Sequence, residues 1–319
     1  MSKTILSGVK PTGELHLGNY FGAIKQWLAM QEEYNCYFMI ADYHALNFIQ
    51  DATKMHELTE NLVADYLACG LDPKKVTLFK QSDISAHTEL TWIFDTIMTV
   101  PYLKRAHAYK DLVTKGSEED VSMGTFNYPM LMAADILLYS PDLIPVGKDQ
   151  KQHVEIARDT AEKFNRIFGQ KDAGIFKLPE AYIMENVETV PGTDGRKMSK
   201  SYDNYIPLFA EDGEIEEKVM SIVTDSIAEY PENVFKIHQL FRTNEELDKI
   251  YSENKGQYKK LKDLLIDDIK AFIRPLREKR KEISGDGDLV KKVLEVGKRK
   301  ASAVADAKMA EVKHAVGVD

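Results

Sequence analysis

The sequence is short of the features that would place it in several large protein classes. Of its 319 residues only two are cysteine, Cys36 and Cys69. They have no metal-ligand spacing and lie in apolar stretches, which excludes a disulfide framework and a thiolate zinc site and leaves two buried free thiols. The 11 prolines and 18 glycines are too few for a disordered or low-complexity chain. No apolar run approaches the roughly 20 residues that a membrane-spanning helix needs. The opening MSKTILSGVK lacks the apolar core and small-residue cleavage site of a secretory signal, so a cytoplasmic protein is expected. Positive charge is scarce too, with 42 Lys and Arg against 51 Asp and Glu for a net charge of −9. That balance argues against broad nucleic-acid binding, but it is unevenly spread. Residues 251–300 hold 15 Lys and Arg and 9 Asp and Glu, a surplus of 6, which leaves −15 on the rest. A basic segment of this kind is either a solvated helical face or a surface for a polyanion.

What is present suits a globular protein of two domains: 44% apolar and 29% charged residues in 36.3 kDa. Before residue 200, short β-branched and aromatic runs alternate with helical periodicity. The spacing predicts strands over 4–9, 36–41, 76–81 and 143–146, and helices over 19–33, 53–69, 129–139 and 152–168. Strand alternating with helix at this spacing reads as α/β with a doubly wound parallel sheet. Beyond Asn204 strand signals vanish. Helices are expected over 212–224, 243–251, 257–282 and 289–315, broken at Tyr230-Pro231 and at 284–287.

Two familiar phosphate-binding signatures are missing: neither the Walker loop G-x-x-x-x-G-K-[ST] nor the dinucleotide fingerprint G-x-G-x-x-G occurs. Another apparatus is possible. GRKMSKSYDN, at 195–204, puts Lys197 and Lys200 on one short loop with Met198, Ser199 and Ser201, in an otherwise acidic chain. Cations and hydroxyls gathered this way point to an anion, and phosphate is the obvious one. After the first strand, SGVKPTGELHLGNYFGAIKQW makes a turn at Pro11, Thr12 and Gly13. His16, Gly18 and Asn19 then open a helix. Backbone N–H groups and the helix dipole favour anions at such a terminus, and Gly18 lets a ligand come close. Read alone, the same stretch is an ordinary loop with Asn19 as a helix cap. The helix in YPMLMAADILLY, 128–139, is apolar all round except for one acid, Asp135. A carboxylate buried there costs several kcal/mol unless it has a partner. It is either a structural pair or a ligand acceptor, and an indole N–H, which can only donate, would suit it.

HLGN followed by KMSKS resembles the paired signature of class I aminoacyl-tRNA synthetases, with Asn19 where the family's second histidine usually stands. YPMLMAADILLY followed by PVGKDQKQHVEIARD resembles the tryptophanyl members of bacterial type. The resemblance spans essentially the whole chain. It implies a Rossmann-like catalytic domain over 1–196, a KMSKS loop with a helical anticodon-binding domain over 197–284, and a last helix over 285–319 packing back on the catalytic domain. It implies ATP as substrate, with Mg²⁺ on the phosphates and no dedicated protein metal site. Lys10, Pro11, Thr12, His16, Gly18, Asn19, Gly147, Lys148, Asp149, Val190, Lys197, Met198, Ser199, Lys200 and Ser201 match ATP-binding positions. Lys110, Lys197 and Lys200 match the catalytic lysines that face pyrophosphate. Asp135, Tyr128, Met132, Gln150, Val146 and His44 match the tryptophan pocket. Glutamine is commoner in the family where Lys10 stands, and the lead-in to the KMSKS loop departs from its usual form. L-Tryptophan, ATP, tRNA and a second copy of the chain are the implied partners, with no membrane.

Three other readings stand beside it. A tyrosine enzyme of the same subgroup would also use Asp135. An RNA-independent nucleotidyltransferase would share the α/β fold without needing a basic helical half. A binding paralogue would have lost the chemistry. His44, Tyr128 and Met132 could each be core packing instead of ligand contacts.

Overall fold

The structure is a computed structural model and describes residues 2–106, 109–110, 113–114, 119, 121–147, 150–169, 174–183, 190–224 and 230–319. β1 (Thr4–Val9), β2 (Asn35–Ile40) and β3 (Val76–Lys80) form a parallel sheet in which Thr4 lies opposite Asn35 and Cys36 opposite Val76. β4 (Ile144–Val146) and β5 (Ala181–Ile183) pair in parallel. A parallel bridge from Ile5 to Leu143 joins the two sheets, and the Asp142 and Leu143 N–H groups donate to the Thr4 carbonyl. The spatial order is therefore β3-β2-β1-β4-β5. The chain winds outward from β1 through β2 and β3, then returns to the other side of β1. Ligands of such sheets bind at the carboxyl ends of the strands where the winding reverses, which is the edge next to residues 10–19.

Side-chain alternation along the strands divides the core in two. Ile5, Cys36, Phe38, Ile40 and Leu78 face one apolar cluster, while Leu6, Tyr37, Met39 and Phe79 face another. The first takes in α4 (Ala52–Cys69) together with Ile215 of α9 (Asp212–Met220) and Leu265, Ile269 and Ile273 of α12 (Tyr258–Gly285). The second takes in α5 (Ala86–Ile97), α7 (Met123–Leu138), α8 (Lys151–Phe168) and α13 (Leu289–Val316). Helices cover both faces of the sheet, as expected of a doubly wound fold with an appended helical half.

Among the described residues, the remaining helices are α1 (Leu17–Asn19), α2 (Lys25–Met30), α3 (Asp42–Ala45), α6 (Val100–Leu103), α10 (Glu232–His238) and α11 (Asn244–Glu253). The helix expected from 19 starts two residues earlier and passes through a π-helical turn at Tyr20–Ile24 before α2. The helix expected from 129 starts at Met123, because Ser122 Oγ accepts the Thr125 N–H at 3.2 Å and caps it, leaving Pro129 inside. α3, α5, α6, α10 and β5 escaped sequence reading. α5 carries Thr91, Trp92, Ile93 and Phe94 in a row, residues that favour strands, but burial of Leu90 and Phe94 against α7 and α8 overrides that preference.

α13 lies against β3, and the contact is tight. A Cβ at Gly297 would stand 1.8 Å from the Leu78 carbonyl oxygen. In a free helix Gly→Ala stabilises by roughly 0.5–1 kcal/mol. Here the sign should reverse, and Gly297→Ala is expected to cost about 1–3 kcal/mol in a thermal or urea melt, as overpacking of a close-packed core does.

Candidate active site

β1 ends in a turn in which the Thr12 N–H donates to the Lys10 carbonyl at 2.9 Å and Gly13 takes φ +128°. The next residues are zipped to a distant segment: the Leu17 N–H donates to Ile206 O at 3.0 Å and the Leu208 N–H to Leu15 O at 2.9 Å. Residues 200–208 thus hang on the loop that follows β1. The KMSKS loop is itself organised by Asn204, 2% exposed. Its amide donates to Lys197 O at 3.1 Å and Asp194 Oδ1 at 2.6 Å, and its carbonyl oxygen accepts the Ser199 N–H at 2.8 Å. Pro191 and Lys197 pair across the loop, and the Met198 N–H donates to Val190 O at 2.9 Å.

This scaffold brings the two motifs into contact. The Gly18 N–H lies 3.3 Å from Met198 Sδ, a bond spanning 180 residues, and a Cβ on Gly18 would come within 2.9 Å of His16 Nδ1 and 3.3 Å of Met198 Cβ. Gly18 therefore makes room for Met198 and the imidazole, where the sequence suggested room for a ligand. Met198 is a buried plug. Lys200 Nζ rests over Gly13, about where a Cβ would be 3.3 Å away, and Lys197 is exposed. Asn19 is not the helix cap: it is inside α1, and its side-chain oxygen accepts the His16 N–H at 3.0 Å. His16 is buried, and its Nδ1 has no partner among the described residues. Burial, and then the charge of Lys200, pushes its pKa down to about 4. At neutral pH it is an uncharged imidazole with a ring nitrogen available to a ligand.

The unfolded chain would take up this proton near 6.5 and the folded chain near 4. Stability rises with pH wherever the unfolded state binds more protons, so this group's contribution is intact above 6.5 and lost as pH falls from 6.5 toward 4. Thermal melts across that window should show a shallower decline in His16→Gln than in the unaltered chain.

On the other side of β1 the single acid of α7 is fully engaged. Asp135, 3% exposed, accepts Gln81 Nε2 at both oxygens (2.7 and 2.9 Å), His87 Nδ1 at Oδ1 (2.7 Å) and His44 Nε2 at Oδ2 (3.0 Å). Burial alone would raise its pKa, but hydrogen bonds from His44 and His87 outweigh that and hold it below the ordinary carboxylate range. His87 Nε2 lies 3.0 Å from the Tyr139 hydroxyl. Gln81 and His87 are wholly buried, and neither stood out in the sequence. A lone polar residue at a strand end and a lone histidine on a helix carry no local signal, since their partner is 54 and 48 residues away. Around the carboxylate, the Tyr128 ring packs edge-on to His44 at 5.6 Å and its hydroxyl meets His153. Half-buried Met132 and buried Val146 belong to the same apolar cluster, and the Gln150 N–H donates to Gly147 O at 3.0 Å. Asp42, at the start of α3, accepts the Ser82 N–H at 2.9 Å and so ties the segment after β2 to the segment after β3.

A family model described as tRNA synthetases class I (W and Y) matches residues 2–281. The chain belongs to this family. It is 47% identical to the tryptophan–tRNA ligase of Fusobacterium nucleatum over 99% of this chain and 98% of that protein. A crystal structure of the Campylobacter jejuni tryptophanyl-tRNA synthetase complexed with ADP and tryptophan matches with a TM-score of 0.91 at 40% identity, covering 98% and 99% of the two chains. The tyrosyl-tRNA synthetase of Archaeoglobus fulgidus shares the fold at 20% identity and a TM-score of 0.66.

Among the positions that match the synthetase motifs, His16, Gly18, Asn19, Met198 and Lys200 come together at one edge of the sheet. Pro11 is buried and Thr12 exposed in the same loop, and Lys10 Nζ lies over the exposed Phe48 ring at 4.6 Å from its centroid. Ser199 Oγ accepts the Ser201 N–H at 3.3 Å, so that hydroxyl is already used within the loop. Val190, 4% exposed, is packed in the core with its carbonyl on Met198, which leaves little of it for an adenine contact. Lys110 is exposed, with no contact to the KMSKS loop among the described residues. Lys148 and Asp149 lie outside the described residues.

Proposed function

We infer that this synthetase joins L-tryptophan to the 3′ end of its tRNA in two steps, at a site where the loop after β1 meets the KMSKS loop. The observation that carries this reading is the likeness to a tryptophan–tRNA ligase over 99% of this chain, on a structure whose two phosphate loops touch. In the first step a carboxylate oxygen of tryptophan attacks the α-phosphorus of ATP. That P–O bond forms as the bond to the β-phosphate oxygen breaks, giving tryptophanyl-adenylate and pyrophosphate. In the second, a ribose hydroxyl of the tRNA attacks the adenylate carbonyl, and AMP leaves. No covalent intermediate with the protein is needed, so the chain supplies positioning and charge.

The roles follow from the environments. Lys200, half-buried and inward, meets the departing phosphates; Lys197 and Lys110, both exposed, are the other two cations at matching positions. The Nδ1 of His16 and the side-chain amide of Asn19 bond the nucleotide, flanked by Lys10, Pro11 and Thr12, and Gly147, Lys148 and Asp149 are assigned to it by the motif match alone. The motif residues at this edge offer ammonium, imidazole and hydroxyl groups, so Mg²⁺ would be held through the phosphate oxygens of ATP, where it would supply neutralising charge. Asp135 takes the indole N–H in a pocket walled by Tyr128, Met132, Val146 and Gln150. Because all its acceptor positions are occupied, one donor must yield. His44 is that donor, since its 3.0 Å contact is the longest of the four.

The helical half meets the anticodon arm of the tRNA, through fewer cations than the charge count suggested. Lys262 is spent on the Met220 and Ile222 carbonyls, Lys270 on Glu216, Arg277 on Asp212 and Arg280 on Asp65. Lys259 and Lys260, at the start of α12, are exposed without an ion pair among the described residues. Replacing both by Ala should weaken tRNA charging several-fold while leaving pyrophosphate exchange unchanged, and should flatten the slope of log affinity against log salt by about two. Transfer of labelled tryptophan to total tRNA tests the function itself: none in the presence of ATP would refute it. A cytoplasmic homodimer completes the proposal. Trp92, 72% exposed on α5, is apolar surface that a second copy would cover.

A further inference from the structure

The Nδ1 of His16 is buried without a partner among the described residues, and something must fix the direction in which it points. Two neighbours bound the imidazole. One is Gly18, whose missing Cβ leaves the space that the ring fills. The other is Tyr205, half-buried, whose ring centroid lies 5.7 Å from that of His16 with the planes 49° apart. That spacing is within the contact range of ring pairs. The antiparallel bridge between His16 and Pro207 accounts for it. Tyr205, two residues before Pro207, shares a face with His16 and stands diagonal to it, within reach of an aromatic side chain. Bonds on either side of the bridge, from the Leu17 N–H to Ile206 O at 3.0 Å and from the Leu208 N–H to Leu15 O at 2.9 Å, lock that register. Pro207 occupies the position between them, where its missing N–H costs no bond.

Tyr205 is itself held in place. Its hydroxyl donates to Glu14 Oε1 at 2.9 Å. Lys218 of α9 sets its Nζ 5.3 Å from the ring centroid and pairs with Asp203 at 3.3 Å. We propose that Tyr205 is a positioning residue for the nucleotide: its ring fixes the His16 imidazole so that Nδ1 stays where ATP can reach it. An imidazole free to turn must be ordered when the nucleotide binds, and that ordering is subtracted from the affinity. Tyr205 belongs to neither motif, and it acts on the first of them from the segment that follows the second. The proposal rests on the reading that His16 bonds the nucleotide.

Equilibrium dialysis of labelled ATP, with tryptophan left out so that no chemistry occurs, reads the effect directly. Tyr205→Ala should raise the ATP dissociation constant about three- to tenfold, the worth of one aromatic pair. The tryptophan dissociation constant should stay within about twofold. Tyr205→Phe keeps the ring and loses only a bond exposed to water, so it should restore ATP affinity to within about twofold of the unaltered chain. Two backgrounds separate positioning of His16 from a general brace on the KMSKS loop. In His16→Ala, adding Tyr205→Ala should move the ATP dissociation constant less than about twofold; in Lys200→Ala, it should move it by the full factor. A shift that persists without His16, or one that vanishes without Lys200, would overturn the proposal and leave Tyr205 as a loop brace. So would a Tyr205→Ala protein that binds ATP as the unaltered chain does. Should Tyr205→Ala melt below the assay temperature, Tyr205→Leu, which fills the space without a planar face, takes its place in the same cycle. If His16→Ala alone left ATP affinity unchanged, the assignment of His16 to the nucleotide would fall first, and this proposal with it.

Discussion

Lys200→Ala is expected to slow adenylate formation about 10²–10³-fold at saturating ATP, with the tryptophan dissociation constant kept within about twofold. The size follows from where the charge stands. Lys200 is half-buried over Gly13, with its pKa lowered by that burial, so its ammonium group is already partly stripped of water before ATP arrives. A preorganised charge acts most strongly where negative charge develops, and in this reaction that is on the departing pyrophosphate. Lys197, exposed in this structure, is solvated, and its replacement should cost less. Rapid-quench measurement of a single turnover separates the two lysines. Equal losses, or none at Lys200, would remove the distinction between an inward and an outward lysine.

Asp135→Ala is expected to weaken tryptophan about tenfold to 150-fold, the worth of a hydrogen bond to a charged group. It should also lower the melting temperature, because His44, Gln81 and His87 would each face an apolar gap where an acceptor had been. Asp135→Asn controls for that second effect. It keeps the shape and one acceptor oxygen, to which Gln81 can still donate, but its amide N–H₂ confronts one of the two histidines, which must change tautomer to accept from it. A smaller loss of tryptophan affinity than in Asp135→Ala, in a protein that melts close to the unaltered one, is the expected pattern. ATP affinity measured alone should be indifferent to either change. Preference over phenylalanine, which lacks the donor, should shrink in both.

Much of this site was legible because two of its parts are local. HLGN follows an alternating strand, and KMSKS concentrates cations and hydroxyls in an acidic chain, so each motif announces its chemistry within ten residues. The isolated acid in an apolar helix marked Asp135 in the same way. Contacts formed across the fold were not legible. Gln81 and His87 hold Asp135 from β3 and α5, and nothing in their own neighbourhoods distinguishes them from core or surface polar residues. Asn204 looked like the end of the lysine loop, whereas its side chain bonds Lys197, Ser199 and Asp194 and sets the loop's shape. Gly18 was read as an opening for a ligand, because a glycine shows only that a side chain is unwelcome and not what occupies the space. The basic segment was overcounted for a related reason: charge in a sequence does not reveal which cations are consumed by carboxylates and carbonyls inside the fold. α5 was lost to its run of strand-favouring residues from Thr91 to Phe94, whose local preference tertiary packing outweighed.

The most direct measurement of the central claim is exchange of labelled pyrophosphate into ATP with tryptophan, tyrosine or phenylalanine offered one at a time. Two phosphate loops in contact, and a buried acceptor in an apolar pocket, predict rapid exchange with tryptophan and exchange lower by orders of magnitude with the other two. Exchange with tyrosine as fast as with tryptophan, or no exchange with tryptophan, would contradict it.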